Sequence, residues 1–154
     1  MPYNPQKHYH ALELDKVLEM LTAQAVTAGG KQLTRNLNPA NDYATAQRWM
    51  NLTQAAHRMC ALYGDPTILN VKECGPSIQR ASLGSSLSLR ELLDVGQLLR
   101  GIRLLYEYKT SHNDTTTALD FLFQQLVPHR EIEDALSNAI LSEEELSDSA
   151  SPEL

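Results

Sequence analysis

Leu87-Ser88-Leu89-Arg90-Glu91-Leu92-Leu93-Asp94-Val95-Gly96-Gln97-Leu98-Leu99-Arg100-Gly101-Ile102-Arg103-Leu104-Leu105-Tyr106-Glu107-Tyr108 is the stretch that decides the fold. Ser88 followed three residues later by Glu91 is a capping box, in which the hydroxyl and the carboxylate each take a backbone donor of the other's residue. Leu87 before the box and Leu92 after it form the matching hydrophobic staple. Behind them Leu92, Val95, Leu99, Ile102 and Leu105 or Tyr106 fall at three-and-four spacing, so one long helix is predicted to about Tyr108 with that stripe facing in.

The same spacing recurs on both sides. Upstream, Leu14, Val17, Leu18, Leu21 and Ala25 predict a helix from about Asp15 to Val26. Gly29-Gly30 separates it from a short helix, Lys31 to Leu37, closed by Asn38-Pro39. Asn41 or Asp42 then caps a long helix with Ala46, Met50, Thr53, His57 and Cys60 as its expected inner stripe, flanked by Trp49, Ala56 and Leu62. Gly64 lies just past its end and Asp65-Pro66 makes the turn. Ile68 to Val71 is an apolar stretch that could be extended, and Gly75-Pro76 opens a short helix ended by Gly84. Downstream, Ser111 to Asp114 reads as a turn. Leu119, Leu122, Phe123 and Leu126 mark a helix stopped near Pro128, and Ile132, Leu136 and Ile140 mark the last.

No alternating strand pattern competes with these helices, so the expected class is all-α, a multi-helix domain. The expected organisation is a flexible arm over 1–11, a helical domain over 12–141, and an acidic linker over 142–154 leading into a next helix, with Pro152 at its first turn. The chain thus reads as part of a longer protein.

Composition is that of an ordinary globular chain: 154 residues, 42% hydrophobic and 21% charged. The apolar runs are too short for a membrane span and the first ten residues lack an apolar signal core, so a cytoplasmic protein is expected. Cys60 and Cys74 are then expected reduced and packed rather than joined. The net charge of −6 hides an asymmetry. Residues 1–109 hold 12 of the 13 Lys and Arg against 9 acids, whereas 110–154 hold one Arg against 10. A uniformly basic nucleic-acid surface is excluded, while a locally basic face is not.

Candidate chemistry is sparse. Gly29-Gly30-Lys31 fails as a phosphate loop: Ala25 stands where the loop's first glycine belongs, and Gln32 replaces the Ser or Thr after the lysine. His8 and His10 are two ligands without a third, and His57, His112 and His129 are scattered. Ser85-Ser86 lacks the flanks of a nucleophile elbow, Cys60 sits on an expected inner stripe, and Glu143-Glu144-Glu145 reads as a solvated charge run. No catalytic, cofactor-binding or metal-ligating residue is therefore assigned. The candidate nucleic-acid contacts are Arg90, Arg100, Arg103 and Lys109 on one long helix, with Arg48 and Arg58 on the other.

Six segments carry a family resemblance in order along the chain: Leu12 to Leu21, Gly30-Lys31, Asn38-Pro39, Arg80-Ala81-Ser82-Leu83-Gly84, Leu87 to Leu93, and Asp148 to Leu154. Together they resemble the second bacterial type of MutS protein, the one ending in an Smr nuclease domain. The resemblance implies the beginning of a MutS-type core region, before its lever helices. It implies a full-length homodimer that hydrolyses ATP with Mg, carries an Smr-type endonuclease, and acts on branched or mismatched DNA to suppress homologous recombination or on collided ribosomes. None of the family's catalytic motifs lies in these residues. A stand-alone helical adaptor for another protein is the competing reading.

Overall fold

A computed structural model of the chain describes Tyr9 and residues 11–112, 116–143 and 145–147. Its helices run in the order α1 (Leu14–Gln24), α2 (Ala28–Arg35), α3 (Tyr43–Tyr63), α4 (Gly75–Ser82), α5 (Leu89–Thr110), α6 (Asp120–Phe123) and α7 (Arg130–Ala139). The fold is all-α, as the periodicity predicts. Among the described residues the only strand-like pairing is a single antiparallel bridge between Ile140 and Leu146. Two compact units divide the chain, one up to Pro39 and one from Ala40.

In the first unit α1 packs against α2. Thr22, 7% exposed, gives its hydroxyl hydrogen to the Leu18 carbonyl at 2.7 Å and meets the Thr34 hydroxyl at 3.0 Å, so two helices share one satisfied polar contact. The glycine pair lies inside the first turn of α2 rather than between helices, which corrects the expected start at Lys31. The cause is the Thr27 cap, whose hydroxyl accepts the Gly30 amide at 3.0 Å and so begins the helix three residues earlier, at Ala28.

In the second unit Asp42 caps α3, its carboxylate accepting from the Thr45 amide at 2.8 Å. Gly64 ends the helix at φ 79°, a left-handed backbone that glycine adopts without a Cβ penalty. The inner stripe of α3 differs from the expected one. Leu52, Ala55, Ala56, Met59 and Tyr63 are covered, with Met59 only 4% exposed; of the expected stripe Ala46 and Cys60 are half-buried, whereas Met50 is 68% exposed and Thr53 and His57 are exposed too. Both stripes have helical spacing, and periodicity alone does not say which one this chain covers.

The capping box of α5 is formed as read: Ser88 accepts from the Glu91 amide and Glu91 from the Ser88 amide. Leu92, Val95, Leu99, Ile102 and Leu105 are all partly covered, and Leu105 rather than Tyr106 completes the stripe. α5 packs chiefly against α7 and touches α6. At Gly96 α5 comes close to α7, where a Cβ would stand 3.7 Å from that of Leu136. The Ile68 to Val71 stretch is not a strand. It lies against α5 at Gly101, where a Cβ would meet Val71 at 3.5 Å. α6 is a single turn, shorter than read, because the Thr117 hydroxyl and amide bind Asp120 at its start and the chain leaves the helix before Gln124. Of the expected turn from Ser111 to Asp114, Asn113 and Asp114 lie outside the described residues, as do the arm's first eight residues and Asp148 to Leu154.

Candidate functional site: the charged seam of the long helix

α5 carries two successive groups of ions, of which the second joins it to α7. At its start, Glu91 accepts from Ser77 at 2.7 Å and pairs with Arg80 of α4. Ser77, then the Ser88 amide and Arg80, hold the Glu91 carboxyl down at about 2. Arg90 pairs with Glu143 and stands 4.0 Å from Asp94, and Lys72 reaches Asp94 at 3.0 Å. Toward the end of α5, Arg103 forms a two-pronged bond to Glu133 of α7, Nε to Oε2 at 2.9 Å and the terminal nitrogen to Oε1 at 2.8 Å. Its remaining nitrogen reaches Glu107 at 3.2 Å, and Arg130 closes on the same Glu107. Arg103 pulls Glu133 below the usual carboxylate range, outweighing the opposing effect of burial.

Helical spacing brings Glu133 here. It lies three and seven residues before Leu136 and Ile140, on the covered stripe of α7. Ile132, read as inward, is 51% exposed instead. A carboxylate at a core position is the sequence signal that was available for the missing partner of Arg103, and the list of basic residues alone did not reveal it.

The six candidate contacts thus fall into two sets. Arg90, Arg103 and Lys109 are engaged by carboxylates, the last by Asp120 at 3.1 Å with only 13% of its side chain exposed. Arg48, Arg58 and Arg100 form no ion pair among the described residues. The structure does not bring the six onto one face. Arg48 and Arg58 lie on α3, and Arg100 lines a groove of about 680 Å³ with Leu92, Gly96, Leu136 and Ile140 between α5 and α7.

The other motifs take structural places. The Gly30 amide is spent on the Thr27 cap, which removes it from any phosphate cradle. His112 donates its Nδ1 hydrogen to the Tyr108 carbonyl at 2.7 Å and stacks on Tyr63 at 4.1 Å, closing the end of α5. Cys60 and Cys74 are free thiols, half-buried and buried, and burial pushes both above the ordinary thiol range. Among the described residues no group of three His, Cys, Asp or Glu is placed to hold a metal ion. None of their helices is long and apolar enough to cross a membrane.

No family model matches the chain. Curated proteins do match it over almost all its length. It is 30% identical over 151 residues to the endonuclease MutS2 of Caldicellulosiruptor saccharolyticus, covering 97% of this chain and 19% of that protein. It is 31% identical over 153 residues to that of Acetivibrio thermocellus, again 97% and 19%. It is 28% identical over 145 residues to that of Clostridium perfringens, 93% and 18%. The chain therefore spans about one fifth of the length of these relatives. Over nearly its whole length this chain is similar to about one fifth of the length of proteins named endonuclease MutS2.

Proposed function

We propose that this chain is a non-catalytic helical part of a MutS-like, DNA-binding ATPase and endonuclease, and that it supplies scaffold rather than chemistry. The observation that supports this best is the similarity over 97% of the chain to proteins named endonuclease MutS2. ATP and Mg chemistry and an Smr-type nuclease would then reside elsewhere in a longer polypeptide, since the only Lys-bearing glycine pair here is consumed by a helix cap. The longer protein would act in the cytoplasm as a homodimer. It would act on branched or mismatched DNA to suppress homologous recombination, or on collided ribosomes. This chain would correspond to the beginning of its core region.

Any direct contribution to nucleic-acid binding is small on this reading. Each phosphate neutralised adds about 0.9 to the salt slope. Arg48, Arg58 and Arg100 are the candidate cations without an ion pair among the described residues, so a slope of at most about 3 is expected. The test is a salt titration of the chain on a fluorescent four-way DNA junction. Binding should be weak, fade as salt approaches physiological strength, and disappear in the Arg48→Ala, Arg58→Ala, Arg100→Ala triple variant. Tight binding indifferent to both salt and those substitutions, or ATP or DNA turnover by the chain alone, would contradict the proposal.

A further inference from the structure

α3 is 21 residues long and carries two charged residues, Arg48 and Arg58, with no acid at all. A helix of that length with one wet face ordinarily spaces several charges along it. Its second apolar stripe, Tyr43, Ala46, Met50, Thr53, His57 and Cys60, alternates steps of three and four residues, the 3.5-residue repeat of a seam that faces one partner helix along its whole length. Tyr43 is 82% exposed and Met50 68%, with Trp49 beside them, and Thr53 and His57 are exposed, while Ala46 and Cys60 are half-buried. The hydroxyl of Thr53 is spent on the Trp49 carbonyl at 3.1 Å, so a polar residue in the seam is satisfied within its own helix. The positions flanking the seam, Gln47, Trp49, Gln54, Ala56 and Ala61, are uncharged. On the helix, Arg48 falls opposite the seam and Arg58 lies well to one side of it.

We infer that this seam docks an amphipathic helix from the part of a MutS2-type polypeptide that this chain does not include. The inference rests on the proposed membership in such a polypeptide. Two observations choose that occupant over a second copy of the chain. The relatives are about five times longer, which leaves some four fifths of their length to supply a helix. And six seam residues with their flanks fall well short of the roughly 20–30 residues a side that a stable interface between separate molecules uses. A covalent tether removes that requirement, because it holds the two surfaces at an effective concentration in the millimolar range.

The test compares thiol labelling of Met50→Cys in the 154-residue chain and in a longer MutS2-type polypeptide carrying it, both in a Cys60→Ser, Cys74→Ala background. Leu62→Cys, 63% exposed and off the seam, is the control. A small uncharged maleimide should label position 50 at least about tenfold more slowly in the longer polypeptide, at a rate independent of protein concentration, while position 62 reacts alike in both. Equal rates at position 50 would overturn the inference. So would protection that grows with protein concentration, which would make the occupant a second copy. Tyr43→Glu gives an independent reading: it should lower the melting temperature of the longer polypeptide and leave that of the chain unchanged, and equal shifts would count against the seam. None of these readouts requires DNA binding or turnover, so loss of the functional proposal and loss of the seam are separately visible.

Discussion

α3 and α5 are almost the same length, 21 and 22 residues, and lie in the same unit, yet they solve opposite problems. α5 carries seven charged residues, and most of those facing a neighbour are paired: Glu91 with Arg80, Asp94 with Lys72, Arg103 with Glu133, Lys109 with Asp120. Its apolar stripe is covered from within the unit by α7 and by the Leu69–Val71 segment. α3 has two apolar stripes and almost no charge; the stripe through Leu52 and Met59 is covered, while the other is open at Tyr43, Met50, Thr53 and His57 and half-buried at Ala46 and Cys60. A helix that finishes its contacts within its own unit declares this by charge on the remaining surface. A helix that keeps an uncharged second stripe has contacts still to make.

Substitutions along the two helices grade this difference. The largest effect is expected at Met59, 4% exposed, where Met59→Ala removes the centre of the covered stripe and should cost about 2–4 kcal/mol in urea unfolding. Next comes Glu133→Ala, which strips Arg103 of its two-pronged partner and should cost about 1–3 kcal/mol. Glu133→Gln should recover part of that, because it keeps an acceptor in place.

The third effect is read as pH dependence. Glu91 sits at about 2 in the folded chain, below its ordinary 4.5, so its contribution to stability is complete above about 4.5 and is lost as pH falls toward about 2. Glu91→Gln should flatten the acid limb of the stability curve over that window and leave the neutral limb merely lowered. The smallest effect is expected at Met50→Ala, less than about 0.5 kcal/mol in this chain, since that side chain is 68% exposed. A cost at position 50 equal to that at position 59 would erase the distinction between the stripes.

The sequence makes α5 legible because three independent signals agree there: the Ser88–Glu91 box, the Leu87–Leu92 staple and one unbroken stripe. It misleads at α3 because the stripe through Ala46, Met50 and His57 is real, and spacing cannot tell a face covered inside the chain from one left open. Gly29-Gly30 misleads for a different reason, since a threonine cap outweighs the low helix propensity of two glycines in a first turn. The ion pairs of Arg90 and Arg103 join residues 53 and 30 positions apart, a distance no local pattern carries. The basic residues alone therefore leave their carboxylate partners unseen.

The most direct measurement is mild peroxide oxidation of the 154-residue chain, followed by mass spectrometry of the peptides carrying Met50 and Met59. Sulfoxide formation follows exposure, and the two thioethers sit on the same helix at 68% and 4% exposure. The account predicts that Met50 is oxidised about tenfold or more faster than Met59. Equal rates, or a faster Met59, would place the inner face of α3 on the other stripe and contradict it.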